Sequence, residues 1–281
     1  MPDPLTLGSA DGTVLAKVDT QGGRIASLRH EPTRSELLLV TPWADEDWSG
    51  APISDDSAEE WHRRYPGGWH SLLPSAGDAR IVAGVRHPFH GEAAWRTWRV
   101  QHVDQRSCDL EVELRTVPFV VRRTVDLRDG SVRITQVVRN LSTTAQSFTW
   151  TEHPALGADL LSPSTTVEVD GRTVPIEIPS ADGAHGGFTT VTDFVAGRCR
   201  VSNPERAVAV ELEWDAAVFP FLFFWQEHRA SPGFPWFGRV STMGVEPASR
   251  PYRTDSPELG PLVIAPHAVL TTTLRLSVIA L

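Results

Sequence analysis

The chain has 281 residues, 41% hydrophobic and 22% charged, which is ordinary globular usage and sets aside disordered and fibrous classes. Twenty-six basic against 35 acidic side chains leave a formal charge of −9, which argues against nucleic acid or an anionic membrane as partner. Ten tryptophans and ten histidines stand against two tyrosines and two methionines, a surplus that points to ring surfaces offered to a ligand.

From the N-terminus, the run MPDPLTLGSADG has no basic stretch followed by an apolar one, so no signal peptide is expected. Asp11-Gly12 sits between apolar runs as a hairpin signal. Residues 41–60 are polar and acidic and read as a long surface loop. Asp56 to Tyr65 is the best helical window, but it is short and interrupted by tryptophan, so no helix is predicted. Leu110, Val112 and Leu114 alternate with Asp109, Glu111 and Glu113, the pattern of a half-buried strand. Thr124–Leu127 and Val132–Val138 flank Asp129-Gly130 and are predicted to pair as a hairpin. Asp170-Gly171 marks another turn, and residues 179–188 read as a second loop. The apolar stretch Phe219 to Trp225 is too short to span a bilayer. Val269 to Ile279 is rich in β-branched residues and alternates again. Cys108 and Cys199 have neither metal nor disulfide spacing, which fits a reducing cytoplasm. The expected architecture is all-β, a large antiparallel β-sandwich folded as a single domain over residues 1–281.

Candidate chemistry gathers where polar residues lie among Gly, Pro and Trp, because loops on a rigid β scaffold commonly carry sites. These segments are Tyr65 to Gly77, His87 to Gly91, Thr151 to Gly157 and Gly244 to Pro251, with Phe223 to His228 ending an apolar strand in polar side chains. His87 and His90, followed by Glu92, match a cupin metal motif only in part. No H-x-H pair or second histidine motif is present, and Pro88 disturbs the strand that would aim both rings at one ion, so no metal is expected. No phosphate loop, nucleophile elbow or C-x-x-C pair occurs, and no cofactor is expected.

Taken in order, the segments resemble the aldose 1-epimerase (galactose mutarotase-like) superfamily. Asn140-Leu141 before Thr151-Glu-His-Pro154 is similar to the family's "N-x-G … H-P-Y-F" region. His90-Gly91 is similar to its "H-G" element, and Gly244-Val-Glu-Pro247 to the segment bearing its glutamate. Gly22 to Leu28 resembles the opening "G-A-x-I-x-S-L", and Pro266 the "L-x-P-G" before the closing strand. The resemblance covers roughly the whole chain and implies a mutarotase-like supersandwich with a sugar across one face.

The implied reaction interconverts the α and β anomers of a free hexose. Ring opening needs a proton delivered to the ring oxygen while a base takes the anomeric hydroxyl proton, work for two groups titrating near working pH on opposite sides of the ring. The resemblance implies His153 as acid and Glu246 as base, which must come together with room for a pyranose. It also implies a positioning role for His90 at the ring oxygen. His70, Trp69, Trp225 and Gln226 are candidate substrate contacts, the indoles as platforms for apolar sugar faces.

Three departures mark a divergent branch. The arginine element "G-R-x-x-N-R" is replaced by Gly67-Gly-Trp-His-Ser-Leu-Leu-Pro74. Asp193 is the nearest match to the binding aspartate, and Trp225-Gln-Glu227 stands where other members have a tyrosine-containing strand end. Two alternatives stay open: a non-catalytic carbohydrate-binding or regulatory protein on the same scaffold, and an epimerase of hexose phosphates. Arg63-Arg64 and Arg122-Arg123 read as solvated pairs, and either one reaching the cleft would favour a phosphate, which suits guanidinium geometry.

Overall fold

The computed structural model describes residues 3–46, 53–252 and 258–281. Among these residues two nine-stranded antiparallel sheets dominate, with two small two-stranded ribbons beside them. The front sheet runs Leu5–Gly8, Val14–Val18, Ile25–His30, Trp69–Leu72, Thr151–Leu156, Ser241–Ala248, Phe221–His228 and His185–Val191, and Ser35–Glu36 also pairs with Ile25–His30. The back sheet centres on Val269–Ala280, Ser131–Asn140, Phe119–Arg128 and Ser107–Glu113.

Local chemistry explains the hairpins. Leu127 pairs with Val132 across Asp129 and Gly130, whose φ angles of 45° and 70° give the right-twisted turn that two-residue hairpins require. Asp170-Gly171, at φ 48° and 76°, repeats the device. In Ser107–Glu113 the side chains of Cys108, Leu110 and Val112 are buried, as the alternation predicts. Apolar residues of both sheets, from Leu7 and Ile25 to Val125, Ile134 and Leu274, interdigitate in one core.

Three sequence expectations change. Residues 41–60 do not form one loop: Asp56 accepts hydrogen bonds from the backbone N–H groups of Ala58 (2.8 Å) and Glu59 (3.4 Å) and caps a helix, Ser57–Arg64. Trp61, the tryptophan that interrupts the pattern, is the helix's buried apolar side chain; residues 47–52 of the segment lie outside the described residues. Part of 179–188 is likewise not loop, since His185–Val191 forms an edge strand of the front sheet with alternating exposure. Arg123, read as solvated, is fully buried and pairs with Glu152 at 3.2 Å (Nη1 to Oε2) between the sheets.

Candidate active site

The front sheet builds the site by register. Thr151–Leu156 pairs with Ser241–Ala248 so that Thr151 faces Ala248 and Ala155 faces Gly244, which sets His153 opposite Glu246 midway between them. His153 also faces His70 on the other side, and Glu246 faces Phe223. One transverse row, His70–His153–Glu246–Phe223, therefore crosses four strands on the face away from the inter-sheet core.

Nε2 of His153 lies 3.3 Å from Oε1 of Glu246, and both side chains are buried. Burial alone lifts the Glu246 carboxyl to about 8. Burial also lowers the His153 imidazole to about 4. Tyr65 places its hydroxyl 3.5 Å from Nδ1 of His153, and burial raises its own pKa, keeping it a neutral phenol. Gly244 shares the face of Glu246 two residues away; a Cβ there would stand 2.6 Å from Oε1 of Glu246, so the glycine leaves room for the carboxyl to turn back.

His90 reaches the same cleft from the loop after the Val85–His87 strand. Its Nδ1 accepts from the Gly77 N–H (3.1 Å), which leaves the ring proton on Nε2, and its ring stands 5.8 Å from that of His153. His90 itself has φ 63°, and Gly91 follows at φ 77° with backbone oxygens of Leu73 and Ser75 where a Cβ would go, so the "His-Gly" pair fixes a tight bend. Desolvation, then the neighbouring imidazoles of His153, His62 and His70, hold the His90 ring well below its ordinary pKa.

Aromatic rings close the cleft. Trp225 flanks His153 at 5.8 Å between centroids, and Trp61 and Tyr65, stacked at 5.5 Å, form a roof with Trp236. Trp61 stands edge-on to His90 at 4.8 Å and to His70 at 5.0 Å. The cavity beneath is about 140 Å³ and is lined by Tyr65, His90, His153, Trp225, Trp236 and Glu246, with Phe188 and Tyr252 at its rim.

No family model matches the chain, and no curated protein matches it in sequence. Solved structures do match. A protein of Synechocystis sp. PCC 6803 superposes with TM-score 0.74 at 17% identity, covering 100% of this chain and 97% of its own. A candidate aldose 1-epimerase of Escherichia coli K12 gives 0.70 at 18%, covering 99% of both chains. A galactose mutarotase-like protein of Lactobacillus casei gives 0.68 at 17%, covering 98% of this chain and 100% of its own. The chain has the galactose mutarotase-like fold.

On this mutarotase-like scaffold the sequence-derived candidates separate by strand alternation. His70 shares the row of His153 but is turned toward a second cavity of about 450 Å³, which also touches Trp61 and Tyr65. Its Nε2 donates to the Gly67 carbonyl (3.1 Å) and its Nδ1 is buried without a partner, so desolvation, ahead of the nearby Arg24 and His153, drives its pKa far down. Trp69, one residue earlier, points into the inter-sheet core, where Nε1 donates to Glu152 (2.8 Å). Gln226 is turned from Trp225 in the same way, and its amide donates to the Glu177 carbonyl (2.7 Å). Adjacent residues of a strand cannot both face one cleft. Asp193 is exposed and paired with Arg172 on the surface. Arg63 and Arg64 pair with Glu60, and Arg122 with Glu111.

The structure adds Trp61, Tyr65 and Trp236. The first two carried a legible signal, since Asp56 three residues before Glu59 is a capping pattern and helical spacing stacks positions 61 and 65 on one face. Trp236 had none; only the chain path brings it there. The two acid–base candidates also do not stand on opposite sides of a ring-sized gap. They touch at 3.3 Å, so no ring fits between them and the bracketing arrangement expected from the sequence is not what the structure has.

Proposed function

We propose that the chain is an aldose 1-epimerase-like isomerase that interconverts the anomers of a free aldose without a cofactor. The observation that carries the reading is the His153–Glu246 contact, 3.3 Å long and buried under aromatic rings. Same-side placement suits the chemistry, because the ring oxygen and the anomeric hydroxyl oxygen are bonded to the same carbon and one edge of the sugar presents both. A base takes the hydroxyl proton and an acid protonates the ring oxygen as the C1–O5 bond breaks. Rotation about C1–C2 and the reverse transfers close the ring to the other anomer.

The shifts leave the resting pair as a neutral imidazole and a protonated carboxyl, which holds the same number of protons as an imidazolium–carboxylate pair. One proton transfer across the contact produces the form in which His153 is the acid and Glu246 the base. His90 offers an Nε2–H near the same edge, and Trp225 offers a face to the ring's apolar side. The cavity is small against the ~300 Å³ and upward usual for small-molecule sites, and it adjoins a second cavity of about 450 Å³ that shares Trp61 and Tyr65 with it. Cys108 and Cys199 are buried free thiols, which supports a reducing cytoplasm as the compartment.

The test is anomer exchange of fresh α-glucose and α-galactose, followed by NMR or polarimetry. His153→Ala and Glu246→Gln should each lower kcat by about two orders of magnitude or more. Full activity in either variant removes that residue's role. Calorimetric sugar binding without exchange above background would instead make the protein a non-catalytic carbohydrate binder.

A further inference from the structure

Arg250 lies four residues after Glu246, just past the end of its strand, and is partly buried. Nη2 donates to the Ala76 carbonyl (3.1 Å), while Nη1 is buried and has no acceptor. No carboxylate among the described residues pairs with this guanidinium, whereas Arg24, Arg63, Arg64, Arg122 and Arg123 all have one. Its charged neighbour is another cation, Arg80; burial and that repulsion together lower its pKa. A buried donor without an acceptor carries its desolvation cost unrelieved, and a charged one most of all.

Arg250 also borders a small annex of the cleft. The annex is about 40 Å³ and is lined by Ala76, His90, Thr151, Glu246, Arg250 and Tyr252; the main cavity shares His90, Glu246 and Tyr252 with it. A space near the ~30 Å³ share of one liquid water holds a group of only a few atoms. A carboxylate is smaller than the tetrahedral head of a phosphate ester and suits so small a space better. The planar fork of arginine also matches a planar carboxylate. The annex shares His90 and Glu246 with the cleft, so it adjoins the place proposed for the anomeric centre. The protonated state of Glu246 spares such an anion a repelling neighbour.

We propose that Arg250 makes the cleft selective for a sugar acid, a hexuronate whose C6 carboxylate occupies the annex and accepts from the guanidinium. This rests on the proposed placement of the anomeric centre at His153 and Glu246.

Calorimetric titration of the full chain with glucuronate, glucose and glucose 6-phosphate tests it, because binding is read whether or not exchange is catalysed. Glucuronate should bind at least about tenfold more tightly than glucose, the effect of one charge-assisted hydrogen bond. Arg250→Gln should erase that ratio, and Arg250→Lys, which keeps the charge and a donor, should retain part of it. Equal affinities of the wild type for glucuronate and glucose overturn the proposal even if a variant fails to fold. So does a preference that survives Arg250→Gln, or tighter binding of the 6-phosphate than of glucuronate. NMR exchange on the same samples separates the two readings. A glucuronate preference lost in Arg250→Gln, without exchange of either sugar, upholds the subsite and removes the isomerase.

Discussion

At the scale of single residues, the site is two titratable groups driven in opposite directions by one cause. Burial disfavours charge, so the carboxyl of Glu246 moves up to about 8 and the imidazole of His153 down to about 4. The pair holds one exchangeable proton across the interval between those values. Below it both groups are protonated and neither can accept; above it both are deprotonated and neither can donate. The exchange rate, corrected for the uncatalysed reaction, should therefore be bell-shaped, with an acid limb near pH 4 and an alkaline limb near pH 8. The limbs belong to the pair rather than to either residue. NMR exchange measured from pH 3.5 to 9 as ~half-unit steps checks this, and a flat profile would deny the pair its role. Both residues stand as candidates through the resemblance of Thr151–Pro154 and Gly244–Pro247 to family segments. Their contact was not legible there, because they are far apart in the chain and only strand pairing brings them together.

At the scale of elements, strand alternation decides which neighbours serve the cleft. The same period of two that marks Leu110, Val112 and Leu114 as an inward face also sets His70 against Trp69 and Trp225 against Gln226. Applied to those segments, it would have reduced each candidate pair to one member from the sequence alone. Alternation also explains Gly244, which shares a face with Glu246. Gly244→Ala should leave the thermal midpoint nearly unchanged, because the added Cβ meets only the flexible end of a side chain. It should still lower anomer exchange by about one to two orders of magnitude, since displacing a reacting group by about 1 Å costs that much. Thermal melting beside the exchange assay checks both halves; a fully active, equally stable variant would show that the carboxyl does not need this space. The helix Ser57–Arg64 was hidden because its apolar side is little more than one aromatic residue, Trp61. Its capping residue, Asp56, was the better guide.

For the whole molecule, the histidines make stability depend on pH. His30, His70, His87, His90, His153 and His228 all have pKa values lowered in the folded state, with desolvation the leading cause each time. Below their ordinary value of 6.5 the unfolded chain binds more protons at these positions than the folded chain, so acidification favours unfolding. Glu246 works the other way, since its raised pKa makes the folded state the better proton binder between 4.5 and about 8. Six groups outweigh one. The melting temperature should fall by several degrees between about pH 7 and pH 5, each kcal/mol being worth roughly 2–4 °C at this size. Calorimetry at constant ionic strength checks the sign, and a rise on acidification would contradict it.

The sequence by itself determined the class of fold, because period-two burial and Asp-Gly turns are local properties that each strand and hairpin expresses alone. It also pointed to the segments that carry the proposed acid–base pair. Tertiary structure decided everything that depends on register and chain path. It set His153 in contact with Glu246, turned Trp69 and Gln226 away, left Asp193 on the surface, and brought Trp61, Tyr65, Trp236 and Arg250 to the cleft. The reason is physical: the surplus of indole and imidazole rings announces ring surfaces, but which of them meet is fixed by pairing between strands far apart in the chain.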